Sequence, residues 1–247
     1  MKLRLRWPRQ ERRTTGLPKI AVMGALRSGT NLVADMLEQH WRLSADFHAY
    51  GWKHAGVPIL GPSSGFEYPA TPIVWICKNP LAQVVSLHRY RMLSETGRGI
   101  SLEGATDFPE FLRSPITIRD SQLPGSPRLR FSNPMQYWNF ITWNLETLDP
   151  SHFNAIGFNY EDIVSDPDGL TAVEGLLPLD RRTTGSVKLP EKKMRRGKTH
   201  TEGGDGKFDA GTVTSQSHLT SYTSDDLAFV ATQVDPWLMQ RRRYTLP

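Results

Sequence analysis

Three short apolar runs, each followed by a helical pattern, organise this chain. In Lys19–Met23 (KIAVM) the four residues after the lysine are uninterrupted and apolar, the pattern of a strand buried on both faces. Beyond a glycine-bearing turn, Leu32, Val33, Met36, Leu37 and Trp41 fall on one face of a predicted helix. Pro72–Cys77 (PIVWIC) predicts a second buried strand. Its helix begins at Pro80, a residue suited to a first helical position, and carries Leu81, Val84, Val85 and His88 along one side. Phe153–Tyr160 predicts a third strand, with a helix near Gly169–Leu177. Two more helices are predicted. One starts at Ser132-Asn133-Pro134 and carries Met135, Trp138, Ile141, Leu145 and Leu148; the last starts near Ser224 and carries Leu227, Val230, Val234 and Trp237-Leu238.

This alternation predicts an α/β fold, a mostly parallel central sheet with helices on both faces. Residues 91–133 and 181–223, rich in Gly, Ser, Thr, Pro and Arg, do not fit that scaffold and read as lid or insert regions. Residues 1–18 read as a basic tail and 19–247 as a single domain, a division that suits 247 residues of which 38% are apolar. No internal repeat is visible.

Charge adds a modest basic excess, +5 from 30 Lys+Arg and 25 Asp+Glu, much of it at the two ends. Solvated tails account for it; attraction to anionic ligands, polymers or surfaces is the sharper alternative. The basic opening lacks the apolar stretch of a secretory signal, and no run approaches the ~20 apolar residues of a membrane span. The lone Cys77 excludes an intrachain disulfide and reads as a buried strand residue. A cytoplasmic protein is the expectation.

The turn after the first strand reads GALRSGTN, Gly24 to Asn31. A strand, a glycine turn and a helix together make an anion site, because the first helical N–H groups lack partners and the macrodipole is positive there. Gly24 and Gly29 have the spacing of a Walker loop, but Thr30 stands where that loop has lysine and Asn31 where it has the magnesium-binding hydroxyl. Arg27 supplies the charge instead. The pattern argues for a phosphate and against an ordinary ATPase or GTPase; a structural tight turn is the alternative. The second strand runs into CKNPLAQVVSLHRYR, which puts Lys78 at the same carboxyl edge of the sheet, where open α/β sheets bind ligands. Lys78 and Ser86 could hold a second phosphate. Taken alone, they also read as a solvated strand end and an ordinary helix position.

Together these residues resemble the sulfotransferases that use 3'-phosphoadenosine 5'-phosphosulfate (PAPS). That family's 5'-phosphosulfate loop is matched by Arg27-Ser28-Gly29-Thr30-Asn31. Its 3'-phosphate motif is matched in spacing by Lys78-Asn79-Pro80 and Ser86, with lysine in place of the family's arginine. Lysine keeps the charge but loses the bidentate fork. NPMQYWNFITWNL resembles the helix carrying a Trp-Asn pair in bacterial members, and FNYEDIVSDPDGL a strand end whose tyrosine lies near the adenine, here Tyr160. Glu161 and Asp162 read as structural. The family's late loop around the 3'-phosphate and adenine is matched in flavour by Arg195, Arg196, Gly197 and Lys198, then Gly206-Lys207-Phe208, with altered spacing.

The resemblance implies a P-loop NTPase-like sulfotransferase fold, PAPS as co-substrate, and sulfuryl transfer to a hydroxyl acceptor without a metal. Arg27 would stabilise the leaving phosphate, with Thr30 and Asn31 holding its oxygens. The family places a Lys-His segment between the two phosphate elements with histidine as the base, which points to Lys53-His54 and leaves His48 as competitor. Lys53 would assist charge stabilisation. Trp52, Phe66, Tyr68 and Phe108 are candidates for lining the acceptor site, and no cluster has metal-ligand spacing. Nucleic acid is not an expected partner. Other readings are a nucleotide-dependent kinase of the same fold, or a non-catalytic binder of anionic glycan or nucleic acid.

Overall fold

A computed structural model describes residues 16–59, 68–92, 100–102, 107–118, 129–190 and 211–247. The chain enters through β1 (Lys19–Met23), continues into α1 (Thr30–His40), and returns through a short β2 (Ser44–Asp46). β3 (Ile73–Cys77) leads into α2 (Pro80–Met92). An insertion of β4 (Ile100–Leu102), α3 (Phe108–Arg113), β5 (Ile116–Ile118) and β6 (Leu129–Phe131) precedes α4 (Pro134–Glu146). The last strand, β7 (Ala155–Asn159), runs directly into α5 (Tyr160–Ser165). The chain closes with α6 (Gly211–Thr214), α7 (Ser224–Gln233) and α8 (Pro236–Arg241).

The central sheet has four parallel strands in the order β2-β1-β3-β7. Strict alternation feeds its two faces. Ala21, Met23, Ile73, Trp75 and Cys77 point to one core, with α2 and α4; Ile20, Val22, Val74 and Ile76 point to the other, with α1 and α5. A run with no polar residue is what such a doubly covered strand requires. From β1 the chain goes one way to β2 and the other way to β3, so the loops after β1 and β3 flank a crevice at the switch in strand order.

Several sequence expectations are corrected. The 91–133 stretch is not a loop throughout, because β4, β5 and β6 form an antiparallel sheet of their own and α3 packs against α2 and α4. The helix expected near Gly169–Leu177 is a 3-10 turn over Pro167–Gly175, and the third strand is shorter than Phe153–Tyr160 because α5 begins at Tyr160. The last predicted helix is two. Val234 is extended, Asp235 caps α8 by accepting from Leu238 N–H, and Pro236 occupies the first turn.

Gly157 in β7 shows how tightly the sheet is covered: a Cβ there would overlap the Trp75 ring, which is held from beyond by the Arg242 guanidinium 4.3 Å from its centre. Gly157→Ala is expected to destabilise the chain by about 1–3 kcal/mol through overpacking, read as a lowered denaturant midpoint at unchanged slope.

Candidate functional site

The loop between β1 and α1 is shaped by three residues of positive φ: Gly24 (151°), Arg27 (67°) and Gly29 (100°). At Gly24 a side chain would strike the Ile76 carbonyl, and at Gly29 it would strike the Tyr160 ring. Arg27 is the informative one, since a non-glycine residue in this region is uncommon and costs about 1 kcal/mol or more. Its conformation is imposed by its neighbour. The Leu26 N–H donates to the Tyr137 hydroxyl (2.8 Å), and the Leu26 carbonyl accepts from Gln83 Nε2 (2.8 Å), so α4 and α2 hold the two peptide groups that flank Leu26.

α1 begins at Thr30 with no side-chain cap and no acid in its first turn, which leaves its leading N–H groups facing outward from a positive helix end. Ser28 is fully buried and its hydroxyl has no partner, an orphaned polar atom within the loop. An anion cradled by this loop matches the donors on offer.

The second element is built from the β3 carboxyl end. Asn79 caps α2 by accepting from Leu81 N–H (2.9 Å), and Pro80 fills the next position. The Lys78 carbonyl accepts from Trp138 Nε1 (2.8 Å), while the Lys78 ammonium lies 4.6 Å above the Tyr160 ring. Burial, aided by Arg27 and Arg89 and opposed by Glu161, pulls the Lys78 pKa down to about 8. Glu161 itself accepts from the Asn79 N–H and the Tyr244 hydroxyl, a structural role.

Arg27 joins the two elements. Its Nε donates to Ser86 Oγ at 3.3 Å, and its guanidinium lies 5.1 Å from the Tyr90 ring centre. The side chain keeps an open surface, although desolvation still lowers its pKa, partly offset by Tyr90 and Tyr160. Tyr160 is 8% exposed and forms the wall between Gly29 and Lys78, which leaves little free ring for an adenine.

Lys53 and His54 lie beside the same loop. The Lys53 carbonyl accepts from Gly24 N–H, and Lys53 Nζ donates to Asn31 Oδ1 at 2.5 Å, above the Phe47 ring. His54 Nδ1 is 2.7 Å from the Gly24 carbonyl. A carbonyl only accepts, so Nδ1 carries the proton and Nε2 keeps its lone pair. Burial holds the His54 pKa well below the ordinary value, with Lys53 adding to the shift, the Gly24 carbonyl opposing it, and Arg27 lowering it further. The ring is edge-on to Trp52 at 5.0 Å, and the His54 carbonyl accepts from Tyr137 OH at 2.9 Å.

The structure therefore brings Arg27, Ser28, Gly29, Thr30, Asn31, Lys53, His54, Lys78, Ser86 and Tyr160 to one edge of the sheet. His48 is exposed, its N–H donated to Asp46. Tyr68 lies at the opposite edge, with its ring on Phe153 just before β7, and Phe108 packs on His88 and Tyr222. Arg195, Arg196, Gly197 and Phe66 lie outside the described residues.

Sequence reasoning missed Tyr137, Gln83 and Arg89. The first two act through the peptide groups on either side of Leu26, and no spacing announces that. Arg89 carried a usable signal, one helical turn beyond Ser86. Among the described residues no group of three His, Cys, Asp or Glu could hold a metal ion, and no helix is long and apolar enough to cross a membrane. Comparison with protein-family models, curated proteins and solved structures finds no match to the chain.

Proposed function

We propose that this chain is a PAPS-dependent sulfotransferase of the P-loop-like fold, moving a sulfuryl group to a hydroxyl acceptor. The observation that carries the reading is the Arg27–Ser86 contact, which couples two anion-binding elements at neighbouring strand ends. One phosphate needs one such element. A ligand with phosphates at both ends of a nucleoside uses two. The open helix start, the glycines without room for a Cβ and the concentration of cations over few acids all fit that ligand.

PAPS supplies an activated sulfuryl group on a phosphate leaving group, so the protein's work is alignment, charge stabilisation and proton removal. The leading N–H groups of α1 and the Arg27 guanidinium hold the 5' end. Lys78 and Ser86 hold the 3'-phosphate. Arg27 offsets the negative charge that develops on the leaving phosphate, and Lys53, fixed by Asn31, adds to the same field. His54 Nε2 accepts the acceptor's proton. Its low pKa keeps it unprotonated before binding, and the negative charge of the bound donor favours the imidazolium as the proton moves.

Asn31, bonded to Lys53, occupies the position where a magnesium-dependent kinase has a hydroxyl, which disfavours the kinase reading. The C-terminal arginines are paired, Arg241 and Arg242 with Glu146 and Arg243 with Asp162, which weakens the case for a polyanion-binding end.

The test is thermal stabilisation by 3',5'-ADP, 5'-AMP, and ATP with magnesium. At one hundred times its dissociation constant a native-state ligand adds about 2.7 kcal/mol, several degrees in midpoint. Stabilisation by 3',5'-ADP without metal, clearly above that by 5'-AMP, is expected. Equal responses to the two nucleotides would sink the assignment of Lys78 and Ser86. Transfer from labelled PAPS to a panel of sugars, phenols and lipid headgroups then identifies the acceptor.

A further inference from the structure

Two consecutive, fully buried residues of α4 hold the two anion elements, one each. The Tyr137 hydroxyl accepts from the Leu26 N–H at 2.8 Å, beside Arg27 in the glycine loop, and donates to the His54 carbonyl at 2.9 Å. Trp138 Nε1 donates to the Lys78 carbonyl at 2.8 Å, just past the end of β3. That carbonyl and the Asn79 N–H belong to one peptide group. Glu161 Oε1 accepts from the N–H at 3.0 Å, so α4 and α5 clamp this peptide from both sides. Asn79 then caps α2, so the clamp fixes both the root of the Lys78 side chain and the start of that helix. Adjacent residues on a helix diverge by about 100° while their Cα atoms stay about 3.8 Å apart. One turn of α4 thus holds two separate strand ends at one spacing. The helix is itself pinned. Asn133 caps its start, and Asn144 pairs with both the N–H (2.7 Å) and the carbonyl (2.9 Å) of Val57, three residues past His54.

We propose that Tyr137 and Trp138 are positioning residues that set the span between the two anion elements, and so select a nucleotide with phosphates at both ends of its ribose over one with a single phosphate. This deepens the sulfotransferase reading and rests on it. Both side chains are 0% exposed, so each acts through the backbone group it holds and not by touching the ligand. The two phosphates of 3',5'-ADP hang from one ribose, which confines their separation to a narrow range. Both charged contacts are realised in full only when the two elements already stand at a matching distance. A mononucleotide with a 5'-phosphate alone uses the glycine loop and is indifferent to that distance. The hydroxyl and the indole N–H therefore have separable duties: Tyr137 shapes the loop that any 5'-phosphate meets, and Trp138 places the element that only a 3'-phosphate meets.

Calorimetric affinities for 3',5'-ADP and 5'-AMP in wild type, Tyr137→Phe and Trp138→Phe test this, each variant first checked for folding by circular dichroism. Loss of one buried hydrogen bond predicts a three- to tenfold effect, on the order of 1 kcal/mol. Trp138→Phe is expected to weaken 3',5'-ADP by about that factor and leave 5'-AMP within about twofold, so the preference for the bisphosphate falls. Tyr137→Phe is expected to weaken both nucleotides alike and keep the preference. General loosening of the fold would weaken both nucleotides in both variants, and that result would overturn the proposal. So would an equal fall in preference in the two variants, or no fall in either. Should Trp138→Phe not fold, the indole N–H resonance of Trp138 in wild type decides: it should shift on adding 3',5'-ADP and stay in place with 5'-AMP. An equal response to the two, or none, would overturn the role of Trp138 and leave the transferase reading standing. A wild type that binds both nucleotides equally would remove the two-element reading itself.

Discussion

Replacing His54 by alanine is expected to lower turnover about 10²–10⁴-fold while 3',5'-ADP affinity stays within about threefold of wild type. The asymmetry follows from the geometry. His54 directs its proton-bearing Nδ1 at the Gly24 carbonyl, with the Ala25 backbone also acting on the ring, whereas in the proposed reading the helix start, Arg27 and Lys78 hold the nucleotide. The residue is 7% exposed, so on the proposed mechanism the acceptor hydroxyl would enter a nearly closed position that also disfavours water as a competing acceptor. A stability signature accompanies the kinetic one. The folded pKa of His54 lies below its unfolded value, so in acid the unfolded chain binds the extra proton, and stability falls as pH drops through about 6.5 toward the folded pKa. His54→Gln should flatten that acid slope. Unchanged turnover in either variant, measured as transfer from labelled PAPS, would take His54 out of the chemistry.

Arg27→Ala is expected to lose about 10²–10³ in turnover and to weaken 3',5'-ADP as well, because this side chain serves both elements. Ser86→Ala separates the two effects. It removes the partner of Arg27 Nε and the proposed 3'-phosphate donor but leaves the guanidinium charge, so nucleotide affinity should fall while turnover at saturating PAPS changes little. Arg27→Lys should recover only part of the loss, since a lysine lacks the fork that reaches Ser86 and a ligand oxygen together. Turnover within threefold of wild type for Arg27→Ala would mean that the reacting charge develops elsewhere.

The parts of the fold legible in the sequence were those with strong local patterns. KIAVM and IVWIC are buried strands because the sheet is covered on both faces, and a continuous apolar run is the direct consequence. The glycines of the loop and Asn79-Pro80 were equally legible, because positive φ and helix starts select particular residues. β2 was missed: Ser44-Ala45-Asp46 is three half-buried residues at an edge, with no pattern to detect. The break between α7 and α8 was signalled by Asp235-Pro236, but Leu227, Val230 and Val234 continue a helical period across it and hid the boundary. Tyr68 fell at the wrong end of the sheet because adjacency in sequence to Lys53-His54 says nothing about which way the chain then runs.

The double grip on Leu26, through its N–H and its carbonyl, makes the loop's shape a property of the fold before any anion arrives. Little ordering is left for the ligand to impose, so association should be fast and release should be governed by the strength of the charge contacts. The same arrangement ties recognition to architecture: detaching α4 from the sheet would free Tyr137, release Arg27 from its strained turn and carry away the backbone partner of His54 in one event. Partial unfolding that spared the sheet but loosened this helix would leave a molecule with secondary structure and without the shaped anion loop.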